Sequence, residues 1–168
     1  MNINTFFKEI KGRNIDLSGV DYTNVYQQKD IKTATAIMYL MQHQGVEDAQ
    51  NYGFRYDKDY GIYSSDIVED IFMQQNQHEK IEYSQELSDY IDDIIQASNV
   101  GYKISDTLIS AVKVHFYTKV IEPIKCTEEE FYRLFSDEQK NNGYKTGKKF
   151  WKNLSAIRQE RINQSQPE

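Results

Sequence analysis

Residues 52–71, YGFRYDKDYGIYSSDIVEDI, decide the fold class, because the hydrophobic period lengthens from strand-like to helix-like within one short run. Tyr52, Phe54 and Tyr56 alternate as in a half-buried strand, and Asp57-Lys58-Asp59 supplies turn residues. Ser64 or Ser65 then stands where a helix N-cap belongs, and Ile67, Val68, Ile71 and Phe72 form the apolar side of the helix that follows.

Upstream, Asp30 is placed to cap a core helix in which Ile31, Ala34, Met38 and Met41 recur at steps of three and four, with Gly45 to end it. Phe6, Phe7 and Ile10 predict a short first helix from Asn4 or Thr5 to Gly12, and residues 14–23 read as a loop. Downstream, residues 74–85 are a polar connection. Ser84 opens a helix striped by Leu87, Tyr90, Ile91, Ile94 and Ile95. Ser105 or Asp106 caps another with Leu108, Ile109, Val112 and Phe116 on one face; Pro123 bars its continuation, and Thr127 with Glu130 forms a capping box ahead of Phe131, Leu134 and Phe135. The glycines and asparagines of 140–147, KNNGYKTG, read as a linker. Beyond it Phe150, Trp151, Leu154 and Ile157 lie at helical spacing among Lys148, Lys149, Lys152, Arg158 and Arg161. The expectation is a mainly α (α+β) chain: a compact helical domain of about six to seven helices with one short strand or β-hairpin. Its parts are an acidic body at 1–139, the linker, a basic amphipathic helix at 148–162 and a disordered tail at 163–168.

Composition narrows the function classes. A chain of 168 residues suits one core, and 13 Tyr with 8 Phe give it more apolar surface than a disordered chain carries. Cys126 is the only cysteine, so an internal disulfide and a multi-cysteine metal site are excluded. The N-terminus has no apolar core of signal-peptide length, and no run in the sequence is long enough to span a bilayer; the expected location is the cytoplasm. Usage rich in Lys, Asn, Ile, Tyr and Gln is typical of low-GC bacteria and their phages. The net charge of −6 conceals a split: residues 1–139 hold 13 basic against 24 acidic residues, and residues 140–168 hold 7 against 2. An acidic body repels nucleic acid, so only the C-terminal segment is suited to binding it, and weakly.

No acid, base and nucleophile constellation stands out, and His43, His78 and His115 are scattered among different elements without a metal-ligand spacing. Cys126 beside Lys125 reads as a small apolar side chain. Three groups remain as candidate binding residues. Tyr52, Tyr56, Tyr60 and Tyr63 crowd the turn, and tyrosine brings contact area with a polar tip at low entropic cost. Glu82, Glu86, Asp89, Asp92 and Asp93 flank the apolar stripe of the Ser84 helix, the first four near one face, and such a row, with Glu82, Glu86, Asp89 and Asp93 as the candidate contacts, could imitate a phosphate backbone; the plainer alternative is the solvated side that an amphipathic helix needs. Lys148, Lys149, Trp151, Lys152 and Arg158 could contact nucleic acid, an acidic partner or the protein's own acidic body.

Residues 30–75 resemble the Panacea antitoxin families, which include SocA-like and YwgA-like proteins. Tyr39 within AIMYLMQ matches their helix tyrosine, Tyr52 and Phe54 their aromatic pair, and Tyr60, Gly61, Tyr63 and Ser64 their turn, while Ile62 stands where they usually carry proline. The resemblance implies an intracellular protein that acts by binding another protein. The sequence thus predicts a non-enzymatic regulator or inhibitor, antitoxin-like or directed against host defence, without cofactor or metal, whose partner is another protein or a second copy of itself. The alternatives are a DNA-binding regulator of winged-helix type and an acidic nucleic-acid mimic.

Overall fold

The structure is a computed structural model and describes residues 3–13, 15, 17, 20–57, 61–74, 84–100, 104–116 and 137–166. Among them are six helices, α1 (Ile3–Lys11), α2 (Lys29–His43), α3 (Ser65–Gln74), α4 (Gln85–Ala97), α5 (Ile104–Phe116) and α6 (Asp137–Ser165). One antiparallel hairpin joins β1 (Arg55–Asp57) to β2 (Gly61–Tyr63). The expected mainly helical class with one small β element is what the chain adopts. The chain divides into two compact units, residues 1–91 and 92–168, with the division inside α4. No helix among the described residues is long and apolar enough to cross a membrane.

In the first unit α2 is central. Every residue from Thr33 to Met41 is buried, which is what a helix surrounded by its own unit requires. Thr33 is tolerated there because its hydroxyl donates to the Lys29 carbonyl at 2.8 Å. The helix ends as the sequence predicts: Gly45 adopts φ 82°, and the amides of Gly45 and Val46 close back on the carbonyls of Gln42 and Met41, both at 3.1 Å. Its start differs. Gln28 occupies the cap position without a side-chain capping bond, and Asp30 falls inside the first turn, where its charge still favours the positive end of the helix. Ser64 and Ser84 do cap, accepting the amides of Ile67 at 3.4 Å and Leu87 at 3.2 Å. Just past α1, Arg13 donates to the Glu9 carboxylate at 3.0 Å and to the Ser88 hydroxyl at 2.8 Å, tying α1 to the first half of α4.

In the second unit α6 packs chiefly on α5, and Phe150 and Leu154 of α6 and Leu108, Ala111 and Val112 of α5 are all buried. The stretch 140–147, read as a linker, is instead helical, and the helix continues to Ser165 through residues read as tail. Magnitudes explain the correction. A glycine inside a helix costs about 1 kcal/mol, whereas burying a phenylalanine or leucine returns about 1.5–3 kcal/mol each. Thr146 and Gly147 are themselves buried, and Gly147, Phe150 and Leu154 lie three and four residues apart, so one buried helical side runs on through the glycine. Helix α5 starts at Ile104, so Ser105 and Asp106 fall within its first turn instead of capping it. Pro123 and the Thr127 and Glu130 capping box lie outside the described residues.

Thr107 on α5 is buried, and its hydroxyl has no hydrogen-bond partner among the described residues. A buried hydroxyl without a partner costs about 1–3 kcal/mol. Replacing Thr107 with the isosteric valine is expected to raise the stability of the second unit by about 1 kcal/mol in urea unfolding.

Candidate functional site

Of the turn tyrosines, Tyr52 is held by α3. Tyr52 donates its hydroxyl to Asp70 Oδ2 at 2.6 Å, and the Gly53 amide donates to Asp66 Oδ2 at 2.7 Å. Asp66 and Asp70 are four residues apart, one helical turn, so one side of α3 grips two consecutive residues ahead of β1. Burial, then the bond to Asp70, pushes the Tyr52 phenol well above its usual 10.0. In the hairpin Tyr56 stands opposite buried Ile62, and Arg55 opposite Tyr63, whose ring meets Tyr26 at 5.0 Å. Tyr52, Tyr56 and Tyr63 are all half-buried, and Tyr60 lies outside the described residues.

The exposed side of α3 is a surface that the sequence reading misplaced. Phe72, expected on the core side of its helix, is 51% exposed, Met73 is 46% exposed, and Tyr22 at 37% meets the Phe72 ring edge to face at 5.6 Å. The helical wheel explains it. Ile67 and Ile71 take the buried side, which leaves Ser65, Asp66, Glu69, Phe72 and Met73 together on the exposed side of α3. That polar company was the available signal, masked by the adjacency of Phe72 to Ile71.

Replacing Tyr52 with phenylalanine removes the donor to Asp70 and is expected to cost about 1–2 kcal/mol at neutral pH. It also changes alkaline behaviour. Tyr52 and Tyr39 both have folded pKa values raised above the unfolded 10.0, chiefly by burial, so their contribution is complete below that pH. Above pH 10 the unfolded chain releases protons that the folded chain keeps, and stability falls as pH climbs. In Tyr52→Phe that alkaline loss is shallower, which unfolding curves at several pH values read directly.

The carboxylate row and the basic helix meet one another. Glu86 is exposed and Asp89 accepts from Gln85 Nε2 at 2.8 Å, but Asp93, on the same face, is only 1% exposed. Arg158 Nη1 reaches Asp93 Oδ2 at 2.7 Å, and Arg161 Nε lies 2.7 Å from both carboxylate oxygens. Helix α6 thus covers the C-terminal end of that face, with Asn153 donating to the Ala97 carbonyl at 3.4 Å. Asp93 and Arg158 thus pair with one another inside the protein, which is one of the contacts the sequence left open for the basic helix. Arg161 joins them because Leu154, Arg158 and Arg161 keep the steps of four and three that the apolar face begins. An arginine at such positions is the sequence sign of an internal anion.

Trp151 is likewise engaged within the protein. Its indole N–H donates to the Ala111 carbonyl at 3.2 Å, and its ring lies 4.6 Å from that of His115 and 5.5 Å from that of Phe150. Trp151 is half-buried in these contacts. Lys149 and Lys152 are exposed on the opposite side of α6. The Lys148 side chain, Glu82, His78 and Cys126 lie outside the described residues. His43 packs its ring 4.4 Å from Tyr39, and desolvation lowers its pKa. Among the described residues no three His, Cys, Asp or Glu side chains are grouped to hold a metal ion.

Compared with protein-family models, with curated proteins and with solved structures, the chain matches none.

Proposed function

We propose that the protein is a non-enzymatic regulator or inhibitor that works by stoichiometric binding of another protein in the cytoplasm of a bacterial or phage-infected cell, with the exposed face of α3 and the adjoining hairpin as its contact surface. The observation that carries this reading is the exposure of Phe72 and Met73 on α3 with Tyr22 against them. Large apolar side chains gathered in water favour a partner that covers them. Aromatic residues and methionine are also enriched at protein interfaces. The grip of Asp66 and Asp70 on Gly53 and Tyr52 holds the neighbouring hairpin in place before any partner arrives, which lowers the ordering cost of association. The resemblance of residues 30–75 to Panacea antitoxins supports the same direction. Affinity capture from the host cell, with wild-type protein and a Phe72→Ala, Met73→Ala double variant, tests the reading. The wild type is expected to retain one protein in fixed stoichiometry, and the variant to lose it while its Tm stays within a few degrees. Equal capture by both proteins, or no retained protein, would contradict it.

A further inference from the structure

The charges around this surface point to the chemistry of what covers it. Helix α3, SDIVEDIFMQ, carries Asp66, Glu69 and Asp70 and no lysine or arginine. Asp66 and Glu69 share the exposed side of α3 with Phe72 and Met73, and Glu69 lies three residues before Phe72 and four before Met73, one helical turn away. Asp21, exposed, immediately precedes Tyr22 in the chain. Among the described residues, α3 and the segment 20–26 that carries Tyr22 thus supply carboxylates and no lysine or arginine to the flanks of the apolar centre, while Arg55 is exposed on β1.

Resting on the reading of this face as the contact surface, we propose that its occupant is a cationic amphipathic helix of a partner protein, whose apolar side covers Tyr22, Phe72 and Met73 and whose lysines or arginines meet Asp21, Asp66 and Glu69. An acidic partner would set like charges against each other around the same centre, which costs several kcal/mol. A helix suits the surface because side chains three and four residues apart present an apolar stripe between two charged edges.

The test uses the full chain and two fluorescent synthetic peptides of matched length, one an amphipathic helix of leucine and lysine, the other its leucine and glutamate counterpart. Anisotropy is expected to show binding of the lysine peptide, with little binding of the glutamate peptide. Phe72→Ala and Glu69→Lys are each expected to weaken the lysine peptide about tenfold. Both positions are exposed, so thermal unfolding should confirm an intact fold. Unchanged binding of the lysine peptide to both variants would mean general attraction to an acidic protein and would overturn the proposal. A preference for the glutamate peptide, or no binding of either, would overturn it too. These outcomes are separable from failure of the functional reading, which is judged by whether the Phe72→Ala, Met73→Ala variant loses the natural partner.

Discussion

Replacing Asp93 with alanine is expected to lower the stability of the 92–168 unit by about 3 kcal/mol, a fall in Tm of more than about 10 °C for a unit of this size. The argument rests on asymmetry. Asp93 is buried and both of its arginine partners come from α6, so removing the carboxylate leaves two guanidiniums facing a space that no longer holds an anion. Breaking a buried pair typically costs about 3–5 kcal/mol; the lower end applies because both guanidiniums are partly exposed and can recruit water. Asp93→Asn keeps the shape and hydrogen-bonding oxygen but loses the charge, and should fall between alanine and wild type. Arg161→Lys should also destabilise, because one ammonium cannot reproduce the Nε contact to both oxygens. Urea unfolding followed by Trp151 fluorescence reports on this unit, since Trp151 is the only tryptophan and sits between α5 and α6. A loss under 1 kcal/mol for Asp93→Ala would show that α6 is held by its apolar face alone.

Tyr39→Ala is expected to cost the first unit about 3–5 kcal/mol, the range for deleting a large aromatic from a packed interior. Tyr39 is among the largest fully buried side chains, at the middle of the helix around which the unit is built. Its ring meets Phe54 edge to face at 5.2 Å and His43 at 4.4 Å, so the truncation opens a cavity and also removes two ring contacts. Phe54 lies just ahead of β1, and its loss of support should carry into the hairpin. Tyr39→Phe keeps the ring and should retain most of the stability. Hydrogen exchange of α2 amides is the direct readout, because a core helix opens only with its whole unit.

The parts of this fold that could be read from sequence are those in which one residue does one local job. Gly45 ends α2 because it alone accepts the left-handed conformation there, and Ser64 and Ser84 cap because their hydroxyls reach amides three residues on. The misreadings occur where tertiary contacts outweigh local preference. The glycines and asparagines of 140–147 favour a loop, yet the stretch is helical, with Thr146 and Gly147 buried ahead of Phe150 and Leu154. Asp93 follows the spacing of a solvated carboxylate row but is covered by a helix more than sixty residues later. Phe72 follows Ile71 and looks like core until the wheel is drawn with the polar residues included. In the candidate site the turn tyrosines were legible by composition. The grip of α3 on Tyr52 and Gly53 was not, because it joins residues 13 and 18 apart through side chains whose charge alone suggested a solvated face.

Hydrogen–deuterium exchange of the protein captured with its natural partner tests the central claim most directly, since it maps the covered surface without any substitution. The account predicts slowed exchange in residues 20–26 and 61–74 on complex formation, with the α6 amides unchanged. Protection confined to α6 and the exposed part of α4, with the α3 face exchanging as in the free protein, would contradict it.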